Sequence, residues 1–189
     1  MQAETAVKSC TDHRLRMSPL QVSFEEVDRI LRSHTFGTLS TVDSGNRSHS
    51  VGLIYAVSEP RNPLRIYAMT QMKTRKVRNI KANPNVSFVV QCPRILSMIP
   101  PSVIQFQGTA EVLAVDNQAA ERAFRRSYLL RMMLDKAAEI DLGSLGDACY
   151  IAIKPDPVIH TYGLGLSMWQ LYKHIEDAGS RVKVPAHAR

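Results

Sequence analysis

The chain has 189 residues, of which 44% are hydrophobic and 22% charged. That length buries one full hydrophobic core, and that composition excludes disordered, fibrous and collagen-like classes. The formal net charge of +7 favours acidic partners, whether nucleic acid, anionic lipid or a phosphorylated small molecule.

Cys10, Cys92 and Cys149 are odd in number, widely spaced and contain no CxxC pair, so neither a disulfide framework nor a zinc site is expected and a cytoplasmic location follows. The first twenty residues lack a signal-peptide core, and no apolar run approaches the roughly 18 residues of a membrane span. Residues 1–22 read as a flexible N-terminal arm, or a segment that packs on a partner subunit. Residues 23–163 read as the cofactor-binding domain, and residues 164–189 as a C-terminal extension.

In chain order, Ser23 is placed to cap a short helix running to about His34, with Glu25 and Glu26 in its first turn and Phe24, Val27, Ile30 and Leu31 at helical spacing. Phe36–Val42 is rich in β-branched residues, Asp43-Ser44-Gly45-Asn46 is a turn signal, and Ser48–Val57 returns, which predicts a β-hairpin. A loop at 58–63 leads to a third strand at Leu64–Met69. Lys73–Ala82 reads as a basic helix stopped by Asn83-Pro84. Strands are predicted at Val86–Gln91 and Val103–Val115, joined by the connector Pro93–Pro101. Asp116 is then placed to cap one helix containing Ala119, Ala120, Ala123, Phe124, Tyr128, Leu129 and Met132, and Ala148–Ile153 is the last strand. Six strands in short meanders with two or three helices predict a mainly β fold, a closed or half-open antiparallel barrel.

The chemistry concentrates in Tyr67-Ala68-Met69-Thr70-Gln71-Met72-Lys73-Thr74-Arg75-Lys76, a strand, a polar turn and a basic helix start. Two hydroxyls, Thr70 and Thr74, flank the turn. Arg75 and Lys76 add charged donors beside backbone N–H groups that favour anions, so the layout suits a phosphate. In the alternative, the threonines only cap the helix and the cations are solvated.

Thr-x-x-x-Thr-Arg-Lys, followed by Asn83-Pro84, resembles the FMN phosphate segment of the pyridoxamine 5'-phosphate oxidase-like split-barrel flavoproteins. Phe36-Gly37-Thr38-Leu39-Ser40-Thr41, the hairpin through Gly45 to Gly52, Asn83-Pro84-Asn85-Val86-Ser87-Phe88 and Gln107-Gly108-Thr109-Ala110-Glu111-Val112 extend the similarity over about residues 24–160. The resemblance implies a six-stranded antiparallel split barrel with short helices, an FMN-binding oxidoreductase acting on a small molecule, and a homodimer with cofactor sites at the subunit interface. It implies that Thr70, Thr74, Arg75 and Lys76 bind the FMN phosphate and that the backbone of Val51, Gly52, Leu53 and Ile54 runs beside the isoalloxazine. Gln105 or Gln107, which alternate onto one strand face beside Gly108, would bond the ring edge from the partner strand; the alternative is a glutamine pair facing water. Trp169, near Tyr172, is either a lid by the partner's flavin or an ordinary interface or core residue.

The arginine and histidine pattern with which pyridoxamine phosphate oxidases grip pyridoxal phosphate has no counterpart in the tail, so vitamin B6 oxidase activity is not expected. His49 and His160 read as acid–base groups or as structural histidines; no catalytic side chain is assigned. Rival readings on the same barrel are an F420-dependent oxidoreductase and a non-enzymatic module for flavin or heme. Nucleic acid is disfavoured, because only 6% of residues are aromatic and no basic-aromatic RNA motif is present.

Overall fold

The structure, a computed structural model, describes residues 22–60, 63–93, 101–139, 148–166, 169 and 178–188. The arm up to residue 21, most of the 93–101 connector and Tyr172 lie outside the described residues. Helix α1 (Phe24–Ser33) is capped as expected: Ser23 Oγ accepts the Glu26 N–H at 3.2 Å, and Val27 and Leu31 are buried. Strands β1 (Phe36–Val42) and β2 (Ser48–Val57) form the hairpin. Its left-handed position is Asn46 (φ +58°) and not Gly45; the Asn46 N–H donates to Asp43 O at 3.0 Å, closing a turn that matches the strand twist.

Strand β3 (Ile66–Gln71) precedes α2 (Arg75–Ala82), then β4 (Asn85–Cys92) and β5 (Ser102–Ala114). The predicted single helix after β5 is two, α3 (Gln118–Arg125) and α4 (Tyr128–Glu139), and the cap is Asn117, whose side chain accepts the Ala120 N–H, and not Asp116. The break at Arg126–Ser127 resets the helical phase. Leu130 therefore becomes the buried anchor, while Tyr128, Leu129 and Met132 are exposed.

Strand β6 (Ala148–Pro155) is followed by two strands the sequence did not reveal, β7 (Val158–Tyr162) and β8 (Gly179–Lys183). Strands β4-β1-β2-β3-β6-β5 are antiparallel neighbours, and β4–β5 pairing closes them into a six-stranded barrel, as expected. Long β5 serves two partners along one edge, β7 over 103–105 and β6 over 108–114. The tail returns to the barrel: Val182, Val184 and Ala188 join the central cluster, and the Leu64 N–H donates to Ala188 O at 2.8 Å.

Alternation along the strands builds two cores. Leu39, Tyr55, Ile66, Phe88, Phe106 and Ile151 fill the barrel interior, with Tyr55 edge-on to Phe88 at 5.3 Å. Tyr67, Tyr150 and Ala152 form a second cluster with Ala120, Phe124 and Leu130 of α3 and α4. Each large apolar side chain so buried contributes about 1.5–3 kcal/mol.

Candidate functional site

The start of α2 is set by the turn after β3. Thr74 holds the N-cap backbone conformation, but its hydroxyl does not cap the helix; it donates back to Gln71 O at 2.9 Å. The first turn carries no acidic side chain. The helix N-terminus thus presents its partial positive charge without a side-chain acceptor, which answers one of the two readings of Thr74.

Neighbouring residues on a helix point about 100° apart, and Arg75 and Lys76 diverge accordingly. Arg75 Nη2 donates to Asp43 Oδ2 at 3.0 Å, reaching across to the β1–β2 turn. Asp43 also accepts from the Arg47 amide, the Arg47 guanidinium and the Gly45 amide. These bonds, the Arg47 amide foremost, hold its carboxyl down to about 2. Lys76 is half-buried, and burial pushes its ammonium below the usual lysine range; it has no carboxylate partner among the described residues. Its field reaches Cys149, whose thiol is raised by burial and drawn back by Lys81 and Lys76. Thr70 pairs with Cys149 across β3 and β6, on the inward row that Ile66 and Ala68 begin.

Asn79 locks α2 in place. It is buried, its Nδ2 donates to Thr41 Oγ1 at 2.9 Å, and Thr41 Oγ1 donates to His49 O at 3.3 Å. Asp43, Arg47, Arg75, Arg78 and Asn79 line a cavity of about 540 Å³. Of these only Arg75 was a sequence candidate. The turn motif around Asp43 was visible, but nothing in the sequence connects it to a guanidinium 32 positions away.

Along β2, Val51 and Leu53 turn into the barrel core, whereas Gly52 and Ile54 turn outward. The exposed Phe36 ring lies over Gly52, where a Cβ would meet its Cζ at 2.5 Å. Gln105 and Gln107 share the outer face of β5, as their alternation implied, and with Ser87, Asp156 and His160 line a cavity of about 560 Å³. Gln105 stands opposite His160 in register. The close approach at Gly108 is made by the chain itself, since a Cβ there would lie 2.1 Å from Lys154 O. The structure therefore gathers Arg75 with Asp43 at one cavity and the two glutamines with His160 at another, and these cavities share no lining residue. Trp169 is 72% exposed, and its neighbours in sequence lie outside the described residues. His49 Nδ1 is buried without a hydrogen-bond partner among the described residues.

Among the described residues, no helix is long and apolar enough to cross a membrane, and no group of three histidine, cysteine or acidic residues could hold a metal ion. The family described as Pyridoxamine 5'-phosphate oxidase matches residues 23–156. A 5a,11a-dehydrotetracycline/5a,11a-dehydrooxytetracycline reductase of Streptomyces rimosus is 29% identical over 83 residues, 44% of this chain; the match spans 58% of the reductase's length. In fold the chain is similar to an FAD-binding protein from Mesorhizobium loti, at TM-score 0.53 and 19% identity, covering 73% of this chain and 92% of that one. It is likewise similar to the heme storage protein HutZ from Vibrio cholerae, at TM-score 0.55 and 15% identity, covering 73% and 94%.

Proposed function

The chain belongs to the pyridoxamine 5'-phosphate oxidase family, and from that premise we propose that it is an FMN-dependent oxidoreductase acting on a small molecule. One observation carries the reading. A half-buried ammonium without a counter-charge among the described residues, Lys76, sits in the first turn of a helix that has no side-chain cap and no acidic residue there. A desolvated cation beside free helix donors is a place for an anion, and a phosphate would supply the missing charge.

In this reading Lys76, the α2 amides and the Thr70 hydroxyl hold the phosphate, with Thr74 shaping the turn. Arg75 keeps further N–H donors beyond the one it gives Asp43, and these remain available to an anion at the helix start. Asp43 and Asn79 fix the guanidinium and the helix, so little side-chain freedom is lost on binding. The backbone of Val51–Ile54 flanks the ring. Bound flavin supplies hydride and electron transfer, while the protein supplies orientation and a dry pocket. Gln105, Gln107 and Trp169 reach the ring from the second subunit of a homodimer, which for the two glutamines accords with their place at a cavity other than that of α2 within one chain. The free thiols of Cys92 and Cys149 accord with a cytoplasmic home.

The similar reductase supports redox chemistry over mere storage. F420 on the same residues is the second reading, favoured by the surplus of guanidinium groups around Asp43. The visible spectrum of the purified protein separates the cofactors: flavin absorbs near ~370 and ~450 nm, F420 near ~420 nm, and heme gives a Soret band. Replacing Arg75 and Lys76 together by alanine should weaken FMN binding by about 2–5 kcal/mol with the fold intact. Unchanged affinity in a fluorescence titration refutes the assignment.

A further inference from the structure

Helix α4 is anchored along one side only. Leu130 is buried, and Leu134 packs partly against the cluster that holds Tyr67, Phe124 and Tyr150. Away from these anchors, Tyr128, Leu129, Met132 and Met133 are 75%, 49%, 41% and 39% exposed. They form the i,i+4 pairs 128–132 and 129–133, which places all four on one stripe of the helix. A large apolar side chain exposed singly is ordinary, whereas a contiguous stripe marks a contact surface. The charges around this stripe are sorted by sign. Glu121 and Asp135, the acidic side chains described on α3 and α4, both accept from Arg125, at 2.8 and 3.3 Å, and Arg122 pairs with Glu59 at 3.4 Å. Arg126, Arg131 and Lys136 are exposed and have no ion-pair partner among the described residues. Arg131 lies over the Tyr128 ring, 5.6 Å from its centroid, which holds one of these cations at the edge of the stripe. Lys136 stands one turn beyond Met132, at the far end of the same stripe. The apolar groups are therefore bordered by cations without counter-charges.

We infer that α4 docks this chain on an anionic lipid surface. Leu129, Met132 and Met133 enter the acyl boundary, Tyr128 sits at headgroup level, and Arg126, Arg131 and Lys136 extend their long stems to the anionic headgroups. Twelve residues span only about 18 Å, so the helix lies along the surface and does not cross it. The net charge of +7 adds attraction of the same sign. Docking leaves the rest of the barrel open. Helices α3 and α4 cover outward residues of β2, β3 and β6, whereas Gln105 and Gln107 look out where β5 pairs with β4 and β7. The surface is thus separate from the proposed subunit contact, and the inference does not depend on the cofactor reading.

Co-sedimentation of the full chain with phosphatidylcholine vesicles, with and without phosphatidylserine, tests this. Wild type should bind the phosphatidylserine vesicles about tenfold or more tightly than phosphatidylcholine alone, and the affinity should fall as salt rises. Leu129→Asp/Met133→Asp and Arg131→Ala/Lys136→Ala should each weaken that binding by about tenfold or more, the second only where phosphatidylserine is present. All four positions are exposed, so melting temperature and circular dichroism should match wild type. FMN affinity should also be unchanged in both variants, and failure of FMN to bind wild type touches the cofactor reading alone. Absence of binding to anionic vesicles, equal binding to the two vesicle types, or variants that bind as tightly as wild type overturns the inference. A wild-type oligomer that Leu129→Asp/Met133→Asp breaks up in light scattering also overturns it, because the stripe would then belong to a second copy of the chain.

Discussion

Gly108→Ala tests the point where β5 passes from one partner strand to another. The added Cβ would lie 2.1 Å from Lys154 O, 3.0 Å from Lys154 C and 3.1 Å from Pro155 Cα. All three atoms are backbone, so no rotamer change can relieve the contact. Reaching an ordinary separation requires β5 and β6 to part by about 1 Å where the Asp156 N–H donates to Gln107 O at 2.8 Å. Overpacking costs about 1–3 kcal/mol and the strained hydrogen bond about 1 kcal/mol more, so a loss of roughly 2–4 kcal/mol is expected. Against a typical domain stability of about 5–15 kcal/mol this is large but leaves a folded protein. Urea denaturation followed by circular dichroism measures it. Gly179→Ala is the control, since a Cβ there meets nothing within 4 Å, and it should change stability by less than about 0.5 kcal/mol. Equal stability of Gly108→Ala and wild type would refute the close-approach argument, and the same variant should disturb Gln105 and Gln107 just upstream, visible as shifts of their side-chain amide resonances.

Tyr55→Phe leaves the buried Leu31 carbonyl without the phenol that donates to it at 2.9 Å, and should cost about 1–3 kcal/mol in the same urea assay while the edge contact with Phe88 persists. Asn79→Ala unpins α2 from Thr41; a loss of about 1–3 kcal/mol and a weaker FMN affinity are expected together, and intact FMN binding would separate helix anchoring from the site. Asp43 has a folded pKa held down to about 2, below its unfolded value, so its contribution is fully present above the unfolded pKa and disappears as pH falls through about 2. Carboxyl resonances followed by NMR between pH 5 and 1 should show Asp43 titrating well below the usual aspartate range, and Arg75→Ala should move its midpoint upward.

Local chemistry alone determined much of this protein. The Ser23 cap, the β1–β2 hairpin, the barrel strands and the basic start of α2 each follow from periodicity, turn residues or capping within a window of about ten residues. Their order resembled one family closely enough to foretell the barrel. Tertiary structure decided what depends on distant partners. Short β7 exists because β5 offers it an edge at 103–105, β8 because β7 offers the next edge, and Leu130 is buried while Tyr128 is exposed because the α3–α4 break resets the helical phase. Thr74 gave its hydroxyl to Gln71 instead of capping α2, and Arg75 found its carboxylate on a hairpin far back in the chain. A sequence window registers which groups are available, whereas charge pairing and desolvation depend on through-space distances that only the folded barrel establishes.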